Sequence, residues 1–145
     1  GKVVSINKIS NILKISVDTA KRYLNMFVDT YLVRLVPRCG KTNETLLAPN
    51  KIYAADLGIR TLFTDFRDKG SLFENYVFLK LSGRNPCYIY QNTIEIDFYT
   101  SDETLIEVKY HAEFNKKQRQ LFDSLKAKRK ILIQNFNDLK KLKMS

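Results

Sequence analysis

No stretch of about 18 apolar residues occurs in this chain, which argues against a membrane-spanning helix. The first residues lack the charged-then-apolar order of a secretion signal, so the expected location is the cytoplasm. Histidine is represented by His111 alone, and Cys39 and Cys87 stand apart, so neither a CxxC pair nor a Cys/His cluster can build a zinc site. Both thiols are expected to be reduced and structural. Acidic residues are scarce as well: 15 against 25 basic ones leave a net charge of +10, with a pI near 9.6. That balance favours polyanionic partners, nucleic acid first among them. The lysines and arginine between Lys126 and Lys143 could equally be a solvated, solubilising face.

What is present suffices for a folded core. With 145 residues, 44% of them hydrophobic and 12% aromatic, the chain can bury one core or two small abutting ones. Ile6, Ile9, Ile12 and Leu13 share one helical face over residues 6–14, and a second periodic segment, 17–31, opens at Ser16 or Asp18 and carries Val17, Ala20, Tyr23, Leu24, Phe27 and Val28. Strand-like YLVRLV at 31–36, a loop at 37–50 and a second strand, KIYAA, at 51–55 complete the pattern of a helix-turn-helix with a β-wing over residues 1–58. Lys21, Arg22 and Asn25 would then face outward on the recognition helix and meet DNA. Tyr23, Tyr31, Tyr53 and Phe27 are spaced as core residues rather than as base-stacking platforms. Gly40-Lys41-Thr42 is not a phosphate-binding loop, because Leu35 stands where that pattern needs its first glycine.

Residues 59–145 read as a second unit: a connector at 59–66, an amphipathic helix at 72–81, strands at about 87–91, 94–100 and 104–110, a helix at about 115–128 and a strand at 131–133. The last ten residues read as a basic tail. The predicted class is α/β (α+β). Within the three-strand meander, alternation sets Glu95, Asp97 and Tyr99 opposite Ile94, Ile96 and Phe98, and groups Glu107 with Lys109. A hairpin would bring Asp97 beside Glu107 and Lys109 on one face. Two close carboxylates repel unless a proton, a cation or a divalent metal relieves them. Asp97, Glu107 and the Val108 carbonyl offer the hard oxygens that suit Mg²⁺ or Mn²⁺, with Lys109 placed to stabilise charge on a phosphodiester. Glu74 on the preceding helix could add an outer carboxylate. His111, two residues past Lys109, reads as an exposed histidine at a strand end.

Asp97, nine intervening residues and then Glu107-Val108-Lys109 resemble the signature of the PD-(D/E)XK nuclease superfamily. The segments KIYAADLGI, LFENYVFLKL, EIDFYT and LIEVKY are similar, more narrowly, to the C-terminal region of a prokaryotic, especially archaeal, family of AAA-type ATPases, in which a winged helix links the ATPase to a nuclease-like domain. The resemblance spans nearly the whole chain. It implies a catalytic triad of Asp97, Glu107 and Lys109, with Glu74 as the helix carboxylate and Gln118 as a glutamine of the second helix. It also implies Mg²⁺ or Mn²⁺ as cofactor, DNA as substrate, and an ATPase module that this sequence does not contain. Ile96 stands where the motif's proline would be, a position that ligates nothing. The rival expectation is a non-catalytic module of the ATPase that holds nucleic acid or docks a protein partner, in which Glu107 and Lys109 form a strand ion pair worth under about 1 kcal/mol if exposed. A third makes the chain an ATPase arm that handles proteins or RNA.

Overall fold

The computed structural model describes residues 2–64 and 68–143. Ser5 and Ser16 each end an extended stretch and accept a hydrogen bond from the N–H three residues on, Lys8 at 3.2 Å and Thr19 at 3.1 Å. These caps start helices α1 (Ile6–Leu13) and α2 (Val17–Asp29). Lys14 ends α1 in the left-handed conformation, and the Ser10 hydroxyl closes the turn on the Ile15 carbonyl at 2.6 Å. Ala20, fully buried, lets the helices approach. Only Tyr53 of the four aromatics expected in the core is buried. Tyr23, Phe27 and Tyr31 are exposed, the last by 79%. The apolar face of α2 has little besides α1 to lie on, and Ile12, Leu13 and Met26 share this exposure.

A strand the periodicity did not reveal, β1 (Lys2–Val4), joins β3 (Asn50–Ala54), which also pairs with β2 (Val33–Val36). The order is β1-β3-β2, all antiparallel, with Lys51 opposite Val3 on one side and Val36 on the other. The expected loop at 37–50 contains a short helix, α3 (Thr42–Leu47). Asp56 Oδ1 accepts the Ile59 N–H at 2.9 Å at the start of α4 (Leu57–Thr64). The predicted connector ended at 66, and its last two residues lie outside the described ones.

Asp68 caps α5 (Lys69–Lys80) through the Ser71 N–H. A meander of β4 (Cys87–Gln91), β5 (Ile94–Tyr99) and β6 (Thr104–Val108) follows, then α6 (Lys116–Ser124) and β7 (Arg129–Ile133), which returns parallel to β6. The order β4-β5-β6-β7 puts β6 inside, and all its residues are buried. One face packs Phe98, Ile106, Val108, Ile131 and Ile133 against Phe73, Val77, Phe78 and Leu81 of the α5 region, and Val36 and Tyr53 from the first sheet enter this same core. The other face packs Ile96 and Leu105 against Phe122 of α6. Each such side chain contributes about 1.5–3 kcal/mol by leaving water. The chain is thus a mixed α and β structure whose two halves share a core. Among the described residues no helix is long and apolar enough to cross a membrane.

Two further expectations need correction. The C-terminal segment is not a featureless tail: a 3-10 helix, Phe136–Leu142, starts at Asn135 and buries Leu142 in the core. The cysteines are not free thiols but a disulfide, Cys39–Cys87. Residues 37–39 run beside β4, with Tyr88 N–H on the Pro37 carbonyl at 2.9 Å and Cys39 N–H on the Tyr88 carbonyl at 2.7 Å, which sets the two Cα atoms 5.1 Å apart.

Candidate functional site

Strands β5 and β6 pair through Tyr99↔Leu105 and Phe98↔Ile106, and then part. Past that point the ladder is continued by side chains. Val108 N–H donates to Asp97 Oδ2 at 3.0 Å, and Asp97 N–H donates to Glu107 Oε2 at 3.1 Å. Each acid thereby satisfies a buried backbone donor on the opposite strand. A bulge prepares the parting: Ile89 pairs with Ile96 but Cys87 with Tyr99, so β5 carries one residue more than β4. Strict alternation fails there. Ile96 goes to the α6 core and Phe98 to the α5 core, leaving Asp97 and Phe98 on the same side.

Asp97 and Glu107 consequently do not project together from one face as expected. Asp97 is drawn toward β3 and α5, where its Oδ1 accepts from Lys51 Nζ at 3.0 Å. Glu107, fully buried, turns to α6 and to its own strand. Its Oε1 accepts from Gln118 Nε2 at 2.7 Å and lies 2.7 Å from Lys109 Nζ. Gln118 also holds the Glu95 carbonyl at 2.6 Å. Asp97, Glu107, Lys109 and Gln118 are therefore contiguous, with the strand gap as their centre. Val108 contributes its N–H to this centre.

Lys51 is the residue that sequence reasoning missed. It is 1% exposed, and its Nζ stands 3.1 Å from Glu74 Oε1, 2.6 Å from Glu95 Oε1 and 3.0 Å from Asp97 Oδ1. Glu74 thus joins the cluster through Lys51 and through the Tyr53 hydroxyl, which donates to Glu74 Oε1 at 2.7 Å. The available signal was parity: in a strand, Lys51 shares its face with the core residue Tyr53. Next along α5, Asn75 clamps the halves, its Oδ1 accepting from Ala54 N–H and its Nδ2 donating to the Ala54 carbonyl, both at 2.9 Å.

Charge governs this arrangement. Burial alone would lower the Lys51 pKa, but Asp97 and Glu74 outweigh it and hold the ammonium well above the ordinary lysine range. Burial raises the Tyr53 phenol, and the Glu74 carboxylate adds to it. Burial and the charge of Glu74 push Asp97 upward against the pull of Lys51. Burial and Asp97 push Glu107 up to about 8, opposed by Lys109. Burial works against the Lys109 charge, and Glu107 more than restores it. Lys109 is the cation the cluster turns partly to solvent, its side chain 23% exposed.

The divalent ion implied by the resemblance can be tested against these contacts. The donor chemistry suits a hard cation. The arrangement does not: all four carboxylate oxygens of Asp97 and Glu107 already accept from N–H or ammonium groups, and the position facing Glu74, Glu95 and Asp97 holds Lys51. Among the described residues no group of three or more His, Cys, Asp or Glu side chains is disposed to hold a metal.

Lys21, Arg22 and Asn25 lie on α2, exposed and, among the described residues, with neither ion pair nor side-chain hydrogen bond. The Lys21 and Asn25 side chains border a groove with Leu46 and Leu47 of α3, which are 76% and 88% exposed. His111 is exposed, itself adopts the left-handed conformation and packs on Tyr110 at 4.4 Å between ring centroids.

Residues 1–70 match a family profile described as a domain of unknown function, DUF8612. An uncharacterized protein of Methanocaldococcus jannaschii is 31% identical over 148 residues, an alignment that takes in 92% of this chain and 33% of the relative. The chain spans about a third of the length of that relative. No solved structure matches this chain significantly.

Proposed function

We propose that this chain is a winged-helix unit joined to a PD-(D/E)XK nuclease-like unit, working on DNA as part of a larger AAA-type ATPase. The observation that carries the reading is the parted β5/β6 hairpin, where residues from α5, β5, β6 and α6 meet around Asp97 and Glu107. The order helix, three-strand meander, helix, parallel strand supports it, as does the β1-α1-α2-β2-α3-β3 order of the first half. In the cluster Gln118 orients Glu107, Glu107 positions Lys109, and Lys109 offers a positive charge to an incoming phosphate. Lys21 and Arg22 would hold the duplex through its phosphates.

As arranged, these residues do not fit a divalent ion. Closure of the cluster by Lys51 favours a second reading, in which the nuclease-like unit recognises nucleic acid without cutting it. A plasmid-nicking assay with Mg²⁺ or Mn²⁺ separates the two, on the chain alone and joined to its ATPase region. Hydrolysis predicts metal-dependent nicking that Lys109→Ala reduces by about 10²–10³ with DNA affinity kept. No nicking on plasmid, single-stranded or branched DNA ends the hydrolytic reading and leaves the binding one.

A further inference from the structure

Among the described residues, four carboxyl groups and two ammonium groups meet at this cluster: Glu74, Glu95, Asp97 and Glu107 against Lys51 and Lys109. Three of the four acids converge on a single buried point, and that point is occupied by a cation carried by the protein's own backbone. Lys51 is not a mobile arm. Its strand is the middle one of the first sheet, and Lys51 is paired with Val3 on one side and Val36 on the other. The backbone that carries the ammonium is therefore fixed by the fold, and the side chain is enclosed, 1% exposed.

We propose that Lys51 is the built-in cation of this cluster: its ammonium holds, between Glu74, Glu95 and Asp97, the place of a divalent ion, and such an ion binds these carboxylates only where Lys51 is gone. The distances agree with that assignment. The three oxygens stand 2.6–3.1 Å from Nζ, wider than the roughly 2.0–2.1 Å of Mg²⁺, and only the shortest reaches the roughly 2.3–2.6 Å of Ca²⁺, so the shell would have to contract by about half to one ångström around Mg²⁺. The remaining surroundings suit an ammonium better. The rings of Tyr53, Tyr88 and Phe98 lie 5.8–6.0 Å from Nζ, close enough to attract a monovalent cation and unable to supply the oxygens a hard metal needs. The inference concerns the acidic cluster of the proposed site but does not require that the site cut a phosphodiester.

The test is a Mn²⁺ titration of the whole chain, followed by calorimetry and by the spin-resonance signal of free Mn²⁺. The parent should show no saturable binding below about millimolar Mn²⁺. Lys51→Met, which keeps the length and loses the charge, should bind one Mn²⁺ at least about tenfold more tightly, and its unfolding temperature should climb by several degrees with Mn²⁺ while the parent's stays level. The Lys51→Met/Asp97→Asn double variant should lose the gain. If Lys51→Met is unfolded without metal, Mn²⁺ should restore its circular dichroism. Lys51→Met/Glu95→Gln, which sheds one charge of each sign, provides a second folded background retaining Glu74 and Asp97. Equal Mn²⁺ binding by parent and Lys51→Met overturns the proposal, as does a failure of Mn²⁺ to bind or restore both Lys51 variants. A negative nicking assay would leave these outcomes unchanged.

Discussion

Replacing Asn75 with alanine should cost the protein about 2–4 kcal/mol. Asn75 is 2% exposed, and its carboxamide meets both polar groups of one peptide, accepting from Ala54 N–H and donating to the Ala54 carbonyl at 2.9 Å each. On the other side of β3 the next N–H, that of Ala55, is held by the Leu32 carbonyl, so Ala54 faces α5 without help from β2. A made hydrogen bond contributes only about 0.5–1.5 kcal/mol, but a buried group left unpaired costs about 1–3 kcal/mol, and Asn75→Ala strands two. Asn75→Asp keeps the acceptor and sets a carboxylate against the Ala54 carbonyl. It should be at least as damaging at neutral pH and recover partly in acid, as the carboxyl gains a proton it can donate. Urea unfolding monitored by circular dichroism gives the comparison through midpoints at equal slope. A loss in Asn75→Ala below about 0.5 kcal/mol would refute the reasoning, since water would then be replacing the amide and the junction would be held elsewhere.

Glu107 predicts a pH dependence. Its folded value near 8 exceeds the usual 4.5, so the folded state holds a proton the unfolded chain releases; the resulting stabilisation is complete below about pH 4.5 and is lost as pH rises through about 8, at roughly 1 kcal/mol per pH unit. Unfolding free energies from pH 5 to 8 should show that decline in the parent and a flatter course in Glu107→Gln; parallel slopes would count against it. Reducing the disulfide, or making Cys39→Ser, opens a crosslink between residues 48 apart and should lower stability by about 4 kcal/mol in the chain-entropy account; an unfolding midpoint indifferent to reductant would contradict this. If α2 meets duplex DNA through phosphates, Lys21→Ala and Arg22→Ala should each reduce the slope of log affinity against log salt by about one, as filter binding over a salt series would read.

Most helices and most strands could be read in advance because their signals are local; α3 and the C-terminal 3-10 helix could not. Ser16, one of the two cap candidates, caps α2, apolar spacings of three and four mark α1, α2 and α5, and alternation marks β3 to β6. Asp97, Glu107 and Lys109 could be grouped in advance from strand alternation and hairpin order, and Gln118 only through the family resemblance. The features that escaped depend on contacts made at a distance. The three residues of β1 are too few to show a period, and the bulge that turns Asp97 away from Glu107 exists only relative to β4. Cys39 and Cys87 are joined by a stretch of pairing with no sequence mark of its own. Lys51 looks like the polar start of a strand. Its burial is decided by acids that arrive 23 to 46 residues later.

The sharing of one core across residue 58 has a consequence for how such a protein can be divided or recombined. A fragment starting at 59 would lack Val36 and Tyr53, baring aromatic faces of Phe78 and Phe98 to water, and would leave Glu74, Glu95 and Asp97 facing each other without an ammonium. A fragment covering only residues 1–70, the part that matches the family profile, stops before Asn75 and would carry Lys51 with no acid to meet it. A graft of the C-terminal half onto another protein would therefore need β3 to travel with it.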